Sequence, residues 1–214
     1  MNTQNIHWSI LDEKRKVLLP LMEDFSLDHF YLAGGTGLAL QIGHRDSIDF
    51  DFFKEGEYDT AVLISKLENI FSSHKLLITQ EEKNTVSCVI NNTVQISFFG
   101  YNHKVIKDLI RTEYFNIASI EDIACMKLSA ITSRSLEKDY VDLYFILKKL
   151  QLKEILDIMS AKYPSLDKNV ILKSLVYFDD VLPEPLIFKE GHNVAFEDIK
   201  KYLRNIINNY FKTQ

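Results

Sequence analysis

The sequence lacks the features that mark several large classes of protein. It has only two cysteines, Cys88 and Cys125, and neither belongs to a Cys-x-x-Cys pair. This argues against a disulfide framework or a cysteine zinc site, and two buried free thiols in a reducing compartment are expected. No apolar run approaches the roughly 20 residues of a membrane span. Residues 1–16 contain no apolar run typical of a signal peptide. We therefore expect a cytoplasmic protein with no membrane partner.

Glycine and proline are also scarce. The chain has seven glycines and four prolines, so no long flexible linker is evident. The formal net charge of −5 argues against a broad basic surface for duplex nucleic acid, although it leaves a local basic pocket open. A length of 214 residues fits one domain, or one domain with a small appendage.

Apolar periodicity predicts an α+β fold in two parts, residues 1–118 and 119–214. The first part mixes helices with strands, and Asn91-Asn92 is typical of a tight hairpin turn. The second part is helical, and runs of strands followed by runs of helices are typical of α+β proteins. The predicted strands are 29–33, 47–53, 75–80, 85–90 and 93–99. The predicted helices are 9–25, 36–42, 58–71, 120–134, 136–150, 151–162, 165–178 and 195–211.

Two carboxylates one residue apart stand out in the predicted strand 47–53. Ile48, Phe50 and Phe52 alternate with Asp49 and Asp51, so the two carboxylates share one face of the strand. Two like charges so placed repel unless a cation lies between them. Mg²⁺ takes one or two carboxylates together with substrate phosphates. The ordinary alternative is a solvent-facing strand edge, where exposed aspartates are common.

A glycine turn precedes this strand. Gly34 and Gly35 follow a predicted strand and open a helix, where glycine lets the backbone approach a ligand and free N–H groups can bind a phosphate. Thr36 adds a hydroxyl at the same place. Arg45 could contact a nucleotide phosphate, and Ser47 lies on the face of the aspartates. A tight strand–helix connection is the plain alternative for the turn.

The combined pattern resembles a known family. The string GGTGLALQIGHRDSIDFDFF, residues 34–53, is similar to the first motif of the nucleotidyltransferase AbiEii toxin family, which is of the DNA polymerase β type. Two later stretches resemble the family's Lys–Arg helix and its Lys-Asp helix. These stretches are DIACMKLSAITSR at 122–134 and KDYVDLYFIL at 138–147. Between 54 and 118 the match is only in general character.

The resemblance implies a minimal nucleotidyltransferase core whose active-site cleft is completed by the helical part. It implies Mg²⁺ as cofactor, held by Asp49 and Asp51, which would also be catalytic. An NMP would move from a nucleoside triphosphate to a hydroxyl of RNA, such as tRNA, or of a protein. Some members are toxins of toxin–antitoxin or abortive-infection systems, so a cognate antitoxin is an expected partner.

Cations needed to bind a triphosphate occur downstream. Lys127 and Arg134 are seven residues apart on one predicted helix, so they would lie on nearly the same face. Lys127 would bind the triphosphate as a point charge and act in catalysis, and Arg134 would bind it bidentately. The alternative is two solvated helix cations.

The predicted helix 136–150 begins with a second polar group. Lys138 and Asp142 could form a surface ion pair, and Lys138 is also a candidate to bind substrate. Asp139 and Asp142 share a helix face. For Asp142 two roles stay open: pairing with Lys127 or Arg134, or a catalytic role in orienting Lys127 or the acceptor.

One position departs from the polymerase β pattern. These enzymes usually carry a third carboxylate on a later core strand, and the corresponding residue here is Ser97. Phosphoryl transfer depends largely on positioning and charge neutralisation, so a missing base could slow the reaction without abolishing it. Ser97 therefore supports an alternative hypothesis, a catalytically impaired nucleotide-binding or partner-binding protein.

Aromatic residues are abundant, with 14 phenylalanines and 10 tyrosines. They are most simply core residues rather than a base-stacking surface. Tyr140 and Tyr144, near the predicted cation helix, are the candidates to contact a base.

Overall fold

The computed structural model describes residues 5–213, and the chain divides into two compact units. The first unit ends at Ser119 and contains a mixed sheet with helices, and the second begins at Ile120 and is built mainly from helices. The predicted α+β class is therefore confirmed. Within the described residues, no helix has both the length and the apolar character needed to span a bilayer.

The first unit is organised around one sheet. Its strands β1–β7 are Tyr31–Leu32, Phe50–Glu55, Leu76–Glu82, Thr85–Ile90, Val94–Tyr101, Ile110–Arg111 and Asn116–Ile117. Their order across the sheet is β3-β4-β5-β2-β1-β7-β6. β2 pairs in parallel with β5 and antiparallel with β1, so the strand that contains Asp51 lies inside the sheet.

Helices are found in both units. Those of the first unit are α1 (Glu13–Lys16), α2 (Glu23–Leu27), α3 (Gly34–Ile42) and α4 (Thr60–Ile70). Those of the second are α5 (Ile120–Ala130), α6 (Glu137–Leu147), α7 (Leu152–Lys162), α8 (Lys168–Ser174) and α9 (Phe196–Lys212).

The core of the first unit lies against one face of the sheet. Phe52 and Phe98 are fully buried, and the Phe25 ring of α2 packs edge-on against both, with centroids 5.1 and 5.0 Å away. Side chains alternate between the faces of a pleated sheet. Asp51 and Ser97, next to these core residues in sequence, therefore belong to the opposite face. This places the candidate site on the side of the sheet away from the core.

The predicted helix 9–25 is wrong as a single element. The structure instead has short helical pieces, including 3₁₀ turns at Trp8–Ile10 and Leu19–Met22. Asp12 caps a new helix by accepting a hydrogen bond from the Arg15 N–H at 3.0 Å. Pro20 lacks an N–H and cannot sit in a helix interior without breaking the hydrogen-bond ladder. The apolar spacing was helical, but the caps and the proline divide the segment.

The five predicted strands are present in the structure, although it also contains strands that were not predicted. The strand 85–90 is confirmed as β4, and Asn91 and Asn92 have φ of 50° and 61°, as expected for a tight hairpin turn. Two further strands, β6 and β7, have two residues each and are too short to give a periodic pattern. β2 begins at Phe50, so Asp49 directly precedes the strand. Ile48 is 59% exposed and does not continue the apolar face.

The predicted helix 120–134 is shorter in the structure and ends at Ala130. The Thr132 hydroxyl donates to the Ser129 carbonyl at 2.7 Å, and the Ser133 hydroxyl donates to the Ala130 carbonyl at 3.1 Å. Such local side-chain bonds compete with helix continuation. Arg134 therefore follows the helix and is not on the same helical face as Lys127.

Both cysteines are free and buried, as predicted. Burial raises the pKa of the Cys88 and Cys125 thiols to about 12. Since the thiolate is the nucleophile, neither should react with an aromatic disulfide reagent at pH 8 in the native protein. Both should react once the chain is unfolded in guanidinium, which serves as the control. Rapid release of one equivalent of thiolate from the native protein would contradict this prediction.

Candidate active site

The first turn of α3 lies against the carboxylate of Asp51. The Ala33 N–H donates to the Asp51 carbonyl oxygen at 3.0 Å, which holds the helix start beside β2. Gly34 has φ of 63°, and a Cβ built on it would lie 2.8 Å from Asp51 Oδ2. Glycine is thus required at this position for two reasons: the left-handed backbone, and the close approach of the carboxylate.

Gly35 allows a second close approach. A Cβ at this position would lie 2.7 Å from Arg45 Nη2 and 3.0 Å from Ser47 Oγ. Arg45 is buried, and its Nη1 donates to the Asp46 carbonyl oxygen at 2.9 Å. The guanidinium therefore lies beside the first turn of α3, where the partial positive charge of a helix N-terminus also lies. Both features favour an anion at this position.

The Thr36 hydroxyl joins α3 to the segment that leads into β2. It is in hydrogen-bond contact with the Asp49 carbonyl oxygen and lies 2.8 Å from the Ser47 hydroxyl. A hydroxyl has one proton to donate. Thr36 therefore donates to the Asp49 carbonyl and accepts from Ser47. This arrangement fixes the backbone at Asp49, and it shows that the buried Thr36 is engaged in structure.

Asp49 and Asp51 are both partly exposed, one directly before β2 and the other within it. In residues 5–213 no cluster of three or more His, Cys, Asp or Glu side chains could hold a metal ion. Two carboxylates do not form a complete protein site. They fit Mg²⁺, however, which commonly binds one or two carboxylates and completes its octahedron with water and substrate phosphates.

Ser97 lies directly beside Asp51 in the sheet. The two residues are register partners between the parallel strands β2 and β5. Ser97 is buried, and its hydroxyl accepts a hydrogen bond from the Ser87 hydroxyl of β4 at 3.1 Å. The position expected for a third carboxylate thus contains a hydroxyl that is already bonded to a neighbouring strand.

A buried ion-pair network occupies the second unit. Lys127 Nζ lies 2.7 Å from Asp139 Oδ1 and 2.6 Å from Asp142 Oδ2. The Lys127 side chain is 7% exposed and both aspartate side chains are fully buried. Arg134 Nε contacts the other Asp139 oxygen at 3.1 Å. Two cations therefore balance two carboxylates, and the pairing of Asp142 with a neighbouring cation is observed.

The other candidates of the second unit are also engaged. The Lys138 ammonium pairs with Glu184 at 2.9 Å, rather than with Asp142. Tyr140 is fully buried, and its one hydroxyl proton is shared between the carbonyl oxygens of Ser174 and Tyr177, which lie 3.1 and 3.0 Å from the hydroxyl oxygen. Tyr140 is thus a core residue, and in this conformation its ring cannot contact a nucleobase. Whether Lys127, Asp142, Arg134 and Lys138 also act on substrate stays a prediction.

Sequence reasoning missed several polar contacts, and two of them are instructive. The buried pair Lys162–Asp122, 2.7 Å apart, joins residues 40 positions apart, and no local pattern predicts it. The Ser87–Ser97 contact could have been found. A hairpin turn at Asn91-Asn92 fixes the register of its two strands, and that register places Ser87 opposite Ser97.

Gly34→Ala tests whether this glycine is needed for its contact with Asp51 or only for its positive φ angle. The positive φ alone should cost about 1–2 kcal/mol of unfolding free energy, and the new methyl group should displace the Asp51 carboxylate. Gly191 is the matched control, because its φ is 78° and a Cβ there would meet no atom within 4 Å. In urea titrations Gly34→Ala should lose at least as much stability as Gly191→Ala, and only Gly34→Ala should lose nucleotide affinity by calorimetry. Equal affinity in both variants would contradict the contact role.

Comparison with known proteins places the chain in a family. The family model described as nucleotidyl transferase AbiEii toxin, type IV toxin–antitoxin system, matches residues 16–209. An uncharacterized protein of Aquifex aeolicus is 32% identical over 200 residues, which cover 91% of this chain and 90% of that protein.

Two solved structures share the fold. JHP933 from Helicobacter pylori superposes with a TM-score of 0.60 at 18% identity, covering 95% of this chain and 94% of that one. MenT4, a nucleotidyltransferase toxin from Mycobacterium tuberculosis, gives 0.62 at 13% identity, covering 90% and 80%. Since the family model covers most of the sequence and the sheet places Asp51 against the glycine turn, the chain belongs to the AbiEii family of nucleotidyltransferase toxins.

Proposed function

We propose that this protein transfers a nucleoside monophosphate from a nucleoside triphosphate to an acceptor hydroxyl, with Mg²⁺ as cofactor. The observation that carries the proposal is the close approach of Gly34 to Asp51 Oδ2. A carboxylate so near a helix N-terminus can share one bound group with it. Asp51 would hold a metal ion that is bound to the phosphate, and the N–H groups at the helix start would bind the phosphate oxygens.

Phosphate binding is assigned to the first turn of α3. The first N–H groups of a helix have no partner within the helix, and in α3 these belong to Gly34, Gly35 and Thr36. The Arg45 guanidinium lies beside the same turn and adds a full positive charge. Ser47 and the Thr36 hydroxyl hold the neighbouring backbone in place.

Asp49 and Asp51 would hold Mg²⁺, which supplies Lewis-acid neutralisation of the charge on the phosphates. In the reaction, the acceptor hydroxyl oxygen forms a bond to the α-phosphorus while the bond to the oxygen bridging the β-phosphate breaks. Pyrophosphate leaves with that electron pair. The hydroxyl proton passes to solvent, because Ser97 offers no carboxylate beside Asp51.

The partners and the location of the protein follow from the same proposal. The acceptor is a hydroxyl of RNA, such as tRNA, or of a protein, and the family description supports an antitoxin as a partner. A cytoplasmic location is proposed on the two free thiols, which persist in reducing compartments.

The test is transfer of label from each α-labelled NTP to bulk RNA or total protein, with Mg²⁺ present. The wild-type protein should label one acceptor and release pyrophosphate, and chelation of Mg²⁺ should stop both. The Asp49→Asn/Asp51→Asn double variant is the control for contaminating activity. Equal incorporation by that variant and by wild type would reject the proposal.

Ser97 favours one second candidate, a nucleotide-binding protein on the same fold with impaired catalysis. The residue beside Asp51 cannot serve as a base, and its hydroxyl already bonds to Ser87. This candidate predicts that calorimetry detects NTP binding while no acceptor becomes labelled. Failure to bind any NTP, with or without Mg²⁺, would reject both functions.

A further inference from the structure

A row of aromatic rings lies on the face of the sheet away from the core. We name it the aromatic row; its members are Tyr31, Phe53, Phe99, Tyr101 and His103. Tyr31 stacks on Phe53 with centroids 6.2 Å apart, and Phe53 lies 5.1 Å from Phe99 and 5.4 Å from Tyr101. His103 contacts the Tyr101 ring at 5.1 Å. The rings are thus continuous from β1 across β2 and β5 into the segment after β5.

The aromatic row begins next to the candidate active site. Phe53 follows Asp51 by two residues on β2, so both side chains belong to the same face, about 7 Å apart at the backbone. The register pairs Asp51 with Ser97 and then Phe53 with Phe99. On this face of the sheet, Phe53 and Phe99 therefore lie two residues further along their strands than Asp51 and Ser97. Tyr101 lies two residues beyond Phe99.

Four members of the row differ from the core aromatics in exposure. Phe52 and Phe98, on the opposite face of the same strands, are fully buried. Phe53, Phe99, Tyr101 and His103 are all partly exposed in the complete chain, whereas Tyr31, at the β1 end of the row, is buried at 2% exposure. Half-buried aromatic rings on a sheet that already has a full core on its other face are not needed to build that core. Their exposed parts can contact a ligand.

Cations follow the row. Lys104 and Lys107, in the segment after His103, are both exposed. Carboxylates lie in the same region too: Asp108 is exposed next to Lys107, and Glu55 accepts a hydrogen bond from the Val105 N–H at 2.6 Å and so shapes that segment. Aromatic faces beside cations match the two parts of a single-stranded nucleic acid, because bases stack on rings while phosphates pair with lysines.

We propose that the aromatic row stacks the unpaired bases at the end of a single-stranded nucleic-acid acceptor, and so presents its terminal hydroxyl to the Asp51 site. The role of the row in presenting an acceptor rests on the proposed nucleotidyl transfer. The binding of single-stranded nucleic acid to the row does not depend on it. Rings on successive steps of the sheet offer more surface than one base covers, which favours a strand over a lone donor nucleotide. Sheet faces with exposed aromatics bind single-stranded RNA by the same physics.

The experiment measures binding of fluorescein-labelled oligoadenylate by anisotropy, without NTP or Mg²⁺. An abasic chain of the same length carries the same phosphates and tests the contribution of the bases. Wild type should bind oligoadenylate about tenfold tighter than the abasic chain. Phe99→Leu and Tyr101→Leu should each lose most of that preference, and Phe99→Tyr, which keeps a ring, should retain it.

Three controls separate this site from other causes. Phe211 is 60% exposed on α9, far along the sequence from the row, and Phe211→Leu should bind as wild type does. Asp51→Asn should keep oligoadenylate binding, so a failure of nucleotidyl transfer is distinguishable from a failure of stacking. Thermal unfolding of each variant checks that the loss of a ring has not unfolded the sheet.

Several outcomes would overturn the proposal. Wild type could fail to bind oligoadenylate, or could bind the abasic chain equally well, in which case the bases contribute nothing. The folded leucine variants could bind as wild type does. They could also lose affinity for NTP in calorimetry while keeping oligoadenylate affinity, which would assign the row to the base of the donor nucleotide.

Discussion

Asp51→Asn should lower the rate of nucleotidyl transfer about a thousandfold. A metal ion that neutralises charge in the transition state contributes several kcal/mol, and each 1.36 kcal/mol corresponds to about a factor of ten in rate. Asparagine keeps the size of the side chain but removes the negative charge that Mg²⁺ requires. The measurement is the initial rate of label transfer at saturating NTP and Mg²⁺, on whichever acceptor the wild-type protein labels.

Ser97→Ala is the matched comparison, because Ser97 is the register partner of Asp51 on β5. It removes a hydroxyl bonded to Ser87 at 3.1 Å, and the net cost of one such bond is about 1 kcal/mol of stability. If Ser97 has no role as a base, the rate of nucleotidyl transfer by Ser97→Ala should stay within about threefold of the wild-type rate. If Ser97→Ala lowered the transfer rate as much as Asp51→Asn does, the loss of charge at Asp51 would not explain the effect of Asp51→Asn.

Lys127→Ala should be the most destabilising single change in the helical unit, at about 3–5 kcal/mol of unfolding free energy. It removes the ammonium that contacts Asp139 and Asp142 at 2.7 and 2.6 Å, and both carboxylates are fully buried. Arg134 contacts only Asp139 among these observed pairs, through one nitrogen, and cannot replace the lost charge at Asp142. Urea unfolding followed by circular dichroism gives the free energy.

Lys153→Ala provides the control, since Lys153 is an exposed lysine at the start of α7. Substitutions at such surface positions usually change stability by less than about 0.5 kcal/mol. If Lys127→Ala and Lys153→Ala unfolded at the same urea concentration, the network would not be a structural requirement. Lys127 would then be better explained by a contact with substrate.

The glycine turn and the carboxylates could be predicted from sequence because they are close together along the chain. Gly34, Asp49 and Asp51 lie within 18 positions, and their alternation and spacing are properties of local backbone geometry. The hairpin of β4 and β5 was predictable for the same reason, since Asn91-Asn92 favours the positive φ angles that the turn needs.

The aromatic residues show where local patterns fail. Alternation in the sequence places Phe53 on the face of Asp49 and Asp51, opposite Phe52, but a core role was the simplest expectation for all the phenylalanines. Phe52 is fully buried against Phe25 of α2, whereas Phe53 on the next pleat is partly exposed. The extent of the burial depends on which face of the sheet the helices cover, and the strand sequence does not specify that.

The amino-acid sequence by itself determined the family, the α+β class and the pairing of a glycine turn with Asp49 and Asp51. Each of these depends on residues that are near neighbours or on a motif read in order. Only the tertiary structure decided that Asp51 Oδ2 approaches the Gly34 backbone, that Ser97 is its partner in the sheet, and that Lys127 is enclosed by two carboxylates. These contacts join different strands and helices. They follow from sheet register and from the need to pair every buried charge, and both are settled only when the whole unit folds.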